Sequence, residues 1–203
     1  MISAPLTGSA SAFATLGPIT VQRQDAFGNP ATAGSTTLLM SSSSGTSIFA
    51  ASSSGAPVTQ MTMDAGASTA ALYYGDTTAG SPTMTFIATG LAAATQTSTV
   101  SAAPASKLRF VGQPASSVDK NFPFTPEISI EIVDQFNNRA ASTASITIAT
   151  VAPCQVRGTT VHAALAGLAT FADLQPQGAS SNCTLTATSG TLTPANSSLY
   201  SSK

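Results

Sequence analysis

Apolar and polar residues alternate strictly in several short segments of the chain. In ISIEIV, the side chains of Ile128, Ile130 and Ile132 alternate with Ser and Glu, and Ile146 and Ile148 repeat the pattern. A period of two residues places alternate side chains on opposite faces of a strand. No window of a dozen residues shows a helical period with capping residues, and Ser and Thr suit a pleated surface better than a helix interior. The pattern therefore predicts an all-β chain.

The chain contains one unit twice. The segment ITVQRQDAFGNPA (19–31) aligns with ISIEIVDQFNNRA (128–140), so that Asp25 matches Asp134 and Asn29 matches Asn138. Each copy, of about 100 residues, shows about seven short strands separated by Gly, Pro and Asn turns, a pattern typical of a two-sheet sandwich. We predict two tandem antiparallel β-sandwich domains over residues 1–103 and 104–203.

The two copies differ at their starts. The segment KLRFV (107–111) is predicted to be the first strand of the second copy. Its counterpart in the first copy would lie almost wholly ahead of Met1, so we expect the first strand there to be truncated. The first twenty residues have neither the positive region nor the apolar region of a signal peptide. These features favour a piece of a longer array, with an atypical first copy as the alternative.

Composition excludes several classes of function. The 203 residues include 36 Ala, 29 Ser and 30 Thr, while charged residues make up only 7%. With seven Lys and Arg against eight Asp and Glu, there is no basic surface for nucleic acid. No segment approaches the roughly 18 apolar residues of a membrane span. A hydrophobic content of 42% is nevertheless enough for a core.

Both copies resemble the immunoglobulin-like repeats of long bacterial surface and secreted proteins. The resemblance rests on three stretches of the second copy: SIEIVDQFNNRA, ITIATVAPCQVRGTTVHAALAGLATFADL and CTLTATSGTLTPANSSLY. It covers nearly all of that copy and most of the first, where STAALYY departs from GLATFADL and Arg23 stands opposite Ile132.

The resemblance implies a non-catalytic structural or stalk segment of a bacterial extracellular surface protein or adhesin. Its expected partners are neighbouring immunoglobulin-like repeats of the same chain, without nucleic acid or membrane insertion. One alternative is an adhesive module that recognises a cell-surface glycan or protein. Another is a decoration domain of a phage virion.

The two cysteines both lie in the second copy. In the immunoglobulin-like strand order, Cys154 follows the third strand and Cys183 opens the sixth. The resemblance makes these strands antiparallel neighbours, which favours a Cys154–Cys183 disulfide and an oxidising compartment. Two buried free thiols are the alternative.

Each copy carries an Asp-x-Phe-x-Asn segment after a strand. Asp and Asn side chains can bind nearby backbone N–H groups, so the segment predicts a hairpin turn. A weaker hypothesis is a calcium site that uses Asp134 and Asn138, or Asp25 and Asn29, although calcium prefers six to eight oxygen ligands. We expect no other cofactor.

The first copy has a Ser-rich insertion, Ser41–Gly55, which we interpret as a mobile loop. Loops on such scaffolds often carry binding sites, so it is a candidate contact surface. Candidate contact residues are Ser41, Ser42, Ser43 and Ser44, together with the adjacent Tyr73 and Tyr74, of which alternation turns one outward.

The sequence offers little for catalysis. His162 is the only histidine, no G-x-S-x-G nucleophile turn is present, and we expect His162 on a surface strand. Glu127 and Glu131 would lie about 13 Å apart along one strand, too far for a glycosidase pair. We therefore predict that the protein is not an enzyme.

Overall fold

The computed structural model describes residues 1–203, all in strands, turns and connecting segments. The chain divides into two compact units, unit 1 over Met1–Ser101 and unit 2 over Ala102–Lys203. It contains no helix that is long and apolar enough to cross a membrane.

Unit 1 is built from two main sheets and one short parallel pair. Its strands are β1 (Thr7–Ser9), β2 (Leu16–Gln22), β3 (Thr36–Ser42), β4 (Ser47–Ala50), β5 (Gln60–Met63), β6 (Thr69–Asp76), β7 (Thr83–Ile87), β8 (Ala94–Thr97) and β9 (Thr99–Ser101). One sheet has the order β2-β6-β4 and the other β5-β3-β7-β8, while β1 pairs in parallel with β9.

Unit 2 repeats this plan with shorter strands. They are β10 (Lys107–Gly112), β11 (Ser117–Val118), β12 (Ile128–Val133), β13 (Ser145–Ala149), β14 (Val156–Arg157), β15 (Val161–Ala163), β16 (Leu168–Phe171), β17 (Gln175–Pro176), β18 (Ser180–Cys183), β19 (Thr186–Thr188), β20 (Ala195–Asn196) and β21 (Tyr200–Ser202). The two largest sheets have the orders β10-β12-β16 and β15-β13-β19-β20. The strand β11 pairs in parallel with β21.

The alternating residues form the core of unit 2. Ile128, Ile130 and Ile132 of β12 are fully buried, and their strand lies between β10 and β16. Ile146 and Ile148 of β13 face them from the second sheet and belong to the same apolar cluster. Inward residues of two sheets thus bury each other while Ser and Thr cover the outer faces, as expected for a sandwich.

The core of unit 1 depends more on aromatic rings. Phe49 of β4 makes edge contacts with Tyr74 and Phe86, at ring-centre distances of 5.3 and 6.0 Å. Ile19 and Leu72 are fully buried beside them. Edge-to-face aromatic pairs add about 0.5–1.5 kcal/mol each beyond burial of their area.

Strand order identifies the fold. In each unit the second strand of the unit lies beside the fifth or sixth, and the chain crosses between sheets after every hairpin, as in immunoglobulin-like sandwiches. Both units are therefore immunoglobulin-like antiparallel β-sandwiches.

The structure corrects the interpretation of the Ser-rich segment. Ser41 and Ser42 end β3 and pair with Thr85 and Met84 of β7, and Ser47–Ala50 form β4. Only the tight connections at 43–46 and 51–55 lie outside strands. Polar Ser residues follow the strand here because buried Phe49 anchors the segment in the core.

The structure also corrects the placement of Cys183. This residue ends β18, where it pairs with Tyr200 of β21, and does not open the strand that follows. The chain changes sheets between Cys183 and Thr186, and β19 then pairs with β13.

Candidate functional site

The Asp-x-Phe-x-Asn segments form closed hydrogen-bonded turns. In unit 1 the Asp25 carboxylate accepts the N–H groups of Phe27 and Asn29, both at 2.9 Å, and the Asn29 amide at 3.1 Å. The hydrogen bonds from Asn29 hold the pKa of Asp25 below its usual value. Phe27 at the tip of this turn is 89% exposed and packs on nothing in unit 1.

The turn of unit 2 has one more donor. The Asp134 carboxylate accepts the N–H groups of Phe136 and Asn138 and the Asn138 amide, and Ala103 also donates its N–H at 2.8 Å. Burial raises the pKa of Asp134, but the hydrogen bonds from Asn138, Ala103 and Phe136 outweigh it, and the net pKa is lowered.

These turns bear directly on the calcium hypothesis. In each turn the Asn side chain presents its NH₂ group, not its oxygen, to the carboxylate. Neither Asp lies in a group of three or more His, Cys, Asp or Glu side chains. The carboxylate oxygens therefore serve turn closure, and calcium binding stays an untested hypothesis for these four residues.

A polar cluster at one end of unit 1 was not predicted from the sequence. The Asp76 carboxylate, 1% exposed, accepts the hydroxyl of Tyr74 at 2.7 Å, the hydroxyl of Thr46 at 2.5 Å and the N–H of Thr78 at 2.9 Å. Burial raises the pKa of Asp76, whereas these donors lower it more. Burial likewise raises the pKa of Tyr74.

The candidate contact residues are divided by this cluster. Tyr74 is fully buried, and its hydroxyl lies between Asp76 and Ser42, so it has no surface for a ligand. Tyr73 is partly exposed on the opposite face of β6. Ser43 and Ser44 line an open cleft together with Gly45, Asp76 and residues 78–82.

Arg23 is the second feature that the sequence did not reveal in full. The residue is 6% exposed, yet no carboxylate pairs with it. Its guanidinium donates to the carbonyls of Ala31, Gly34 and Ala67 at 2.9–3.1 Å and to the hydroxyl of Thr36. A single side chain thus ties three connecting segments of unit 1 together.

Cys154 and Cys183 are joined in a disulfide, with their Cα atoms 5.7 Å apart. Both cysteines are buried in the core cluster of unit 2. The bond links the turn after β13 to the end of β18, on the side where these segments approach each other.

The groups considered for catalysis have structural contacts. His162, on β15, is partly buried and packs edge-on against Phe171, with ring centres 5.1 Å apart. Glu131 pairs with Arg109 and Arg139 across the outer face of its sheet.

No protein-family model matches the chain, and no curated protein matches it. Among solved structures, the chain is similar to a beta-glycosidase from Bacteroides vulgatus, with 13% identity and a TM-score of 0.42 over 99% of this chain and 24% of that one. It is similar to the D0-D1 domain of Intimin, with 9% identity and a TM-score of 0.36 over 99% and 96% of the two chains. Domains 5-6 of the S-layer protein SbsC show 17% identity and a TM-score of 0.33 over 100% and 95%. All three likenesses are distant.

Proposed function

We propose that this chain is a spacer segment of a bacterial extracellular surface protein, in which two tandem sandwiches bear mechanical load. The observation that carries the proposal is the parallel pairing of terminal strands, β1 with β9 and β11 with β21.

Parallel pairing decides how a unit responds to tension. In a parallel pair the chain enters at one end of the first strand and leaves at the opposite end of the last. Pulling on the two ends therefore slides the strands along each other and loads their hydrogen bonds together, whereas an antiparallel hairpin opens one bond at a time.

Each pair is extended by further hydrogen bonds. In unit 1, Ala10 donates its N–H to the carbonyl of Ser101 at 2.8 Å, and Thr99 donates to Leu6 at 2.9 Å. In unit 2, Ser201 donates to Ser116 at 2.9 Å and Lys203 to Val118 at 3.1 Å. The Cys154–Cys183 disulfide supports an oxidising, extracellular location.

Single-molecule stretching tests the load-bearing role. The full chain held at both ends should show two unfolding events, one for each unit. The variant Ala10→Pro removes the N–H that bonds to Ser101 and should lower the unfolding force of unit 1. The control Leu91→Pro removes a turn hydrogen bond to Ala88, outside the terminal pair, and should leave that force higher. Equal forces in the two variants would overturn the mechanical role.

A second candidate function is recognition of a glycan or protein at the cleft of unit 1. The cleft that contains Ser43, Ser44 and Ser81 presents several hydroxyl groups above buried Asp76, and this arrangement favours polar ligands. Saturable binding on a glycan array, abolished by Ser81→Trp and kept by the distant exposed Ser53→Trp, would support adhesion. Absence of binding to glycans and to whole cells, with and without calcium, would favour the spacer.

A further inference from the structure

The two units differ at one edge of the sheet that contains β2 in unit 1 and β12 in unit 2. In unit 2 the whole edge of β12 is covered by β10, from the pair Lys107 with Val133 to the pair Phe110 with Ile130. The side chain of Leu108 on β10 is 5% exposed and belongs to the core.

The edge of β2 is covered only in part. Met1 and Gln22 exchange two backbone hydrogen bonds, at 2.7 and 2.9 Å, and Ile2 forms a bridge with Val21. These contacts have the register of Arg109 with Glu131 and of Phe110 with Ile130 in unit 2. Residues 1–3 thus occupy the place of the later part of β10 and run in the same direction.

Beyond Met1, along Arg23 and Gln24, the edge borders an open groove of about 220 Å³. Leu38, Met63 and Phe86 line its base. An apolar cavity of about 150 Å³ is enough to hold a benzene molecule. The groove therefore has room for an aliphatic side chain.

Unit 2 shows what lies at the equivalent place. There Ser106 donates its N–H to the carbonyl of Val133, and Leu108 donates to the carbonyl of Thr193. Ala103 completes the contact through its hydrogen bond to Asp134. In unit 1 the matching Asp25 receives donors only from its own turn.

We propose that this groove is a strand-acceptor site. Its occupant is an extended polypeptide segment of the Ala103–Leu108 type, which enters unit 1 in line with Met1–Ser3 and pairs antiparallel with residues 23–25. Its apolar residue next to Met1 fills the groove as Leu108 does in unit 2, and its backbone supplies the donors that Gln24 and Asp25 lack. Strand addition of this kind combines main-chain hydrogen bonds with a pocket for alternate side chains.

The test extends the full chain at Met1 by the six residues Ala-Pro-Ala-Ser-Lys-Leu, a copy of residues 103–108. Hydrogen exchange is followed by mass spectrometry in unit 1 segments 21–31 and 88–97, with segment 130–140 of unit 2 as an internal reference. A matched control carries the same extension with serine in place of leucine.

The leucine extension should slow exchange in both unit 1 segments by about tenfold, which corresponds to burial of one aliphatic side chain. The serine extension should give only a small part of this protection, and segment 130–140 should not change. Equal effects of the two extensions, or no effect of either, would overturn the proposal. Full protection by the same peptide added free in solution would also overturn it, because the site would then accept a separate strand.

Discussion

The hydroxyl of Tyr74 lies 2.7 Å from Oδ2 of Asp76, and both side chains are almost completely buried in unit 1. Tyr200 provides a contrast in unit 2, because its buried hydroxyl has no hydrogen-bond partner. Two tyrosines of similar burial thus differ in what their hydroxyl groups contribute to stability.

We expect Tyr74→Phe to lower the free energy of unfolding of unit 1 by about 1–3 kcal/mol, since it leaves a buried carboxylate short of a donor. Tyr200→Phe should change unit 2 by less than about 0.5 kcal/mol or stabilise it, since it removes an unpaired polar atom. Urea unfolding followed by hydrogen exchange in each unit measures both. A larger loss in Tyr200→Phe than in Tyr74→Phe would contradict the assignment.

Acid should destabilise both units through their buried carboxylates. Asp76 and Asp134 have pKa values lowered in the folded state, so protonation favours the unfolded chain. Their stabilising contribution is complete above the ordinary pKa of 3.8 and is lost as the pH falls through the lower folded values. Urea unfolding should therefore show nearly constant stability from neutral pH to about pH 5 and a decline below about pH 4.

The variant Asp134→Asn isolates the contribution of unit 2. It should weaken the decline of stability in that unit at low pH, at the cost of lower stability at neutral pH. Asp64→Asn, at an exposed site, serves as the control. An unchanged acid profile in Asp134→Asn would rule out this carboxylate as a source of the pH dependence.

Reduction of the disulfide should destabilise unit 2 alone. The bond between Cys154 and Cys183 closes a loop with a sequence separation of 29, for which the chain-entropy model gives about 3–4 kcal/mol. Unit 1 has no cysteine and is the internal control. Unfolding in urea with and without a reductant measures the difference, and a parallel loss in unit 1 would point to coupling between the units.

Arg23→Ala should destabilise unit 1 by about 3 kcal/mol, because it leaves three buried carbonyls without their donor. The matched control is Arg139→Ala, which removes a half-exposed guanidinium 3.5 Å from Glu131. An exposed pair of this kind contributes at most about 1 kcal/mol. Similar losses in the two variants would show that the Arg23 contacts add little.

Two glycines with similar backbone angles should respond differently to alanine. Gly167 and Gly178 have φ values of 82° and 79°, so each substitution costs about 1 kcal/mol in conformational strain. A Cβ at Gly167 would also lie 2.1 Å from the carbonyl oxygen of Ala140, whereas nothing lies within 4 Å at Gly178. Gly167→Ala should therefore unfold at clearly lower urea concentration than Gly178→Ala.

The all-β class follows from the sequence because alternation is a local signal. The alternating isoleucines of β12 and β13 do line the core, and the sandwich fold predicted from them is confirmed. The Ser-rich segment was mispredicted because Ser carries no apolar period. The strand there is set by contacts with β6 and β7, which are distant in sequence.

The polar clusters could not have been predicted in the same way. Arg23 stands at an inward position that Ile132 fills in the other copy, and only the folded chain brings Ala31, Gly34 and Ala67 within reach of its guanidinium. Asp76 likewise gains its donors from Thr46, thirty positions away along the chain. Such partners leave no periodic trace in the sequence.

The hydrogen bond from Ala103 to Asp134 has a consequence for dissecting the protein. Ala103 is 8% exposed and precedes the first strand of unit 2, β10. A fragment that starts at residue 104, where the internal repeat places the boundary, would lose this donor and leave its carboxylate partner under-satisfied in the interior. The autonomous folding unit therefore starts at Ala102, and the residues ahead of β10 act as a fixed collar of the second sandwich instead of a free tether.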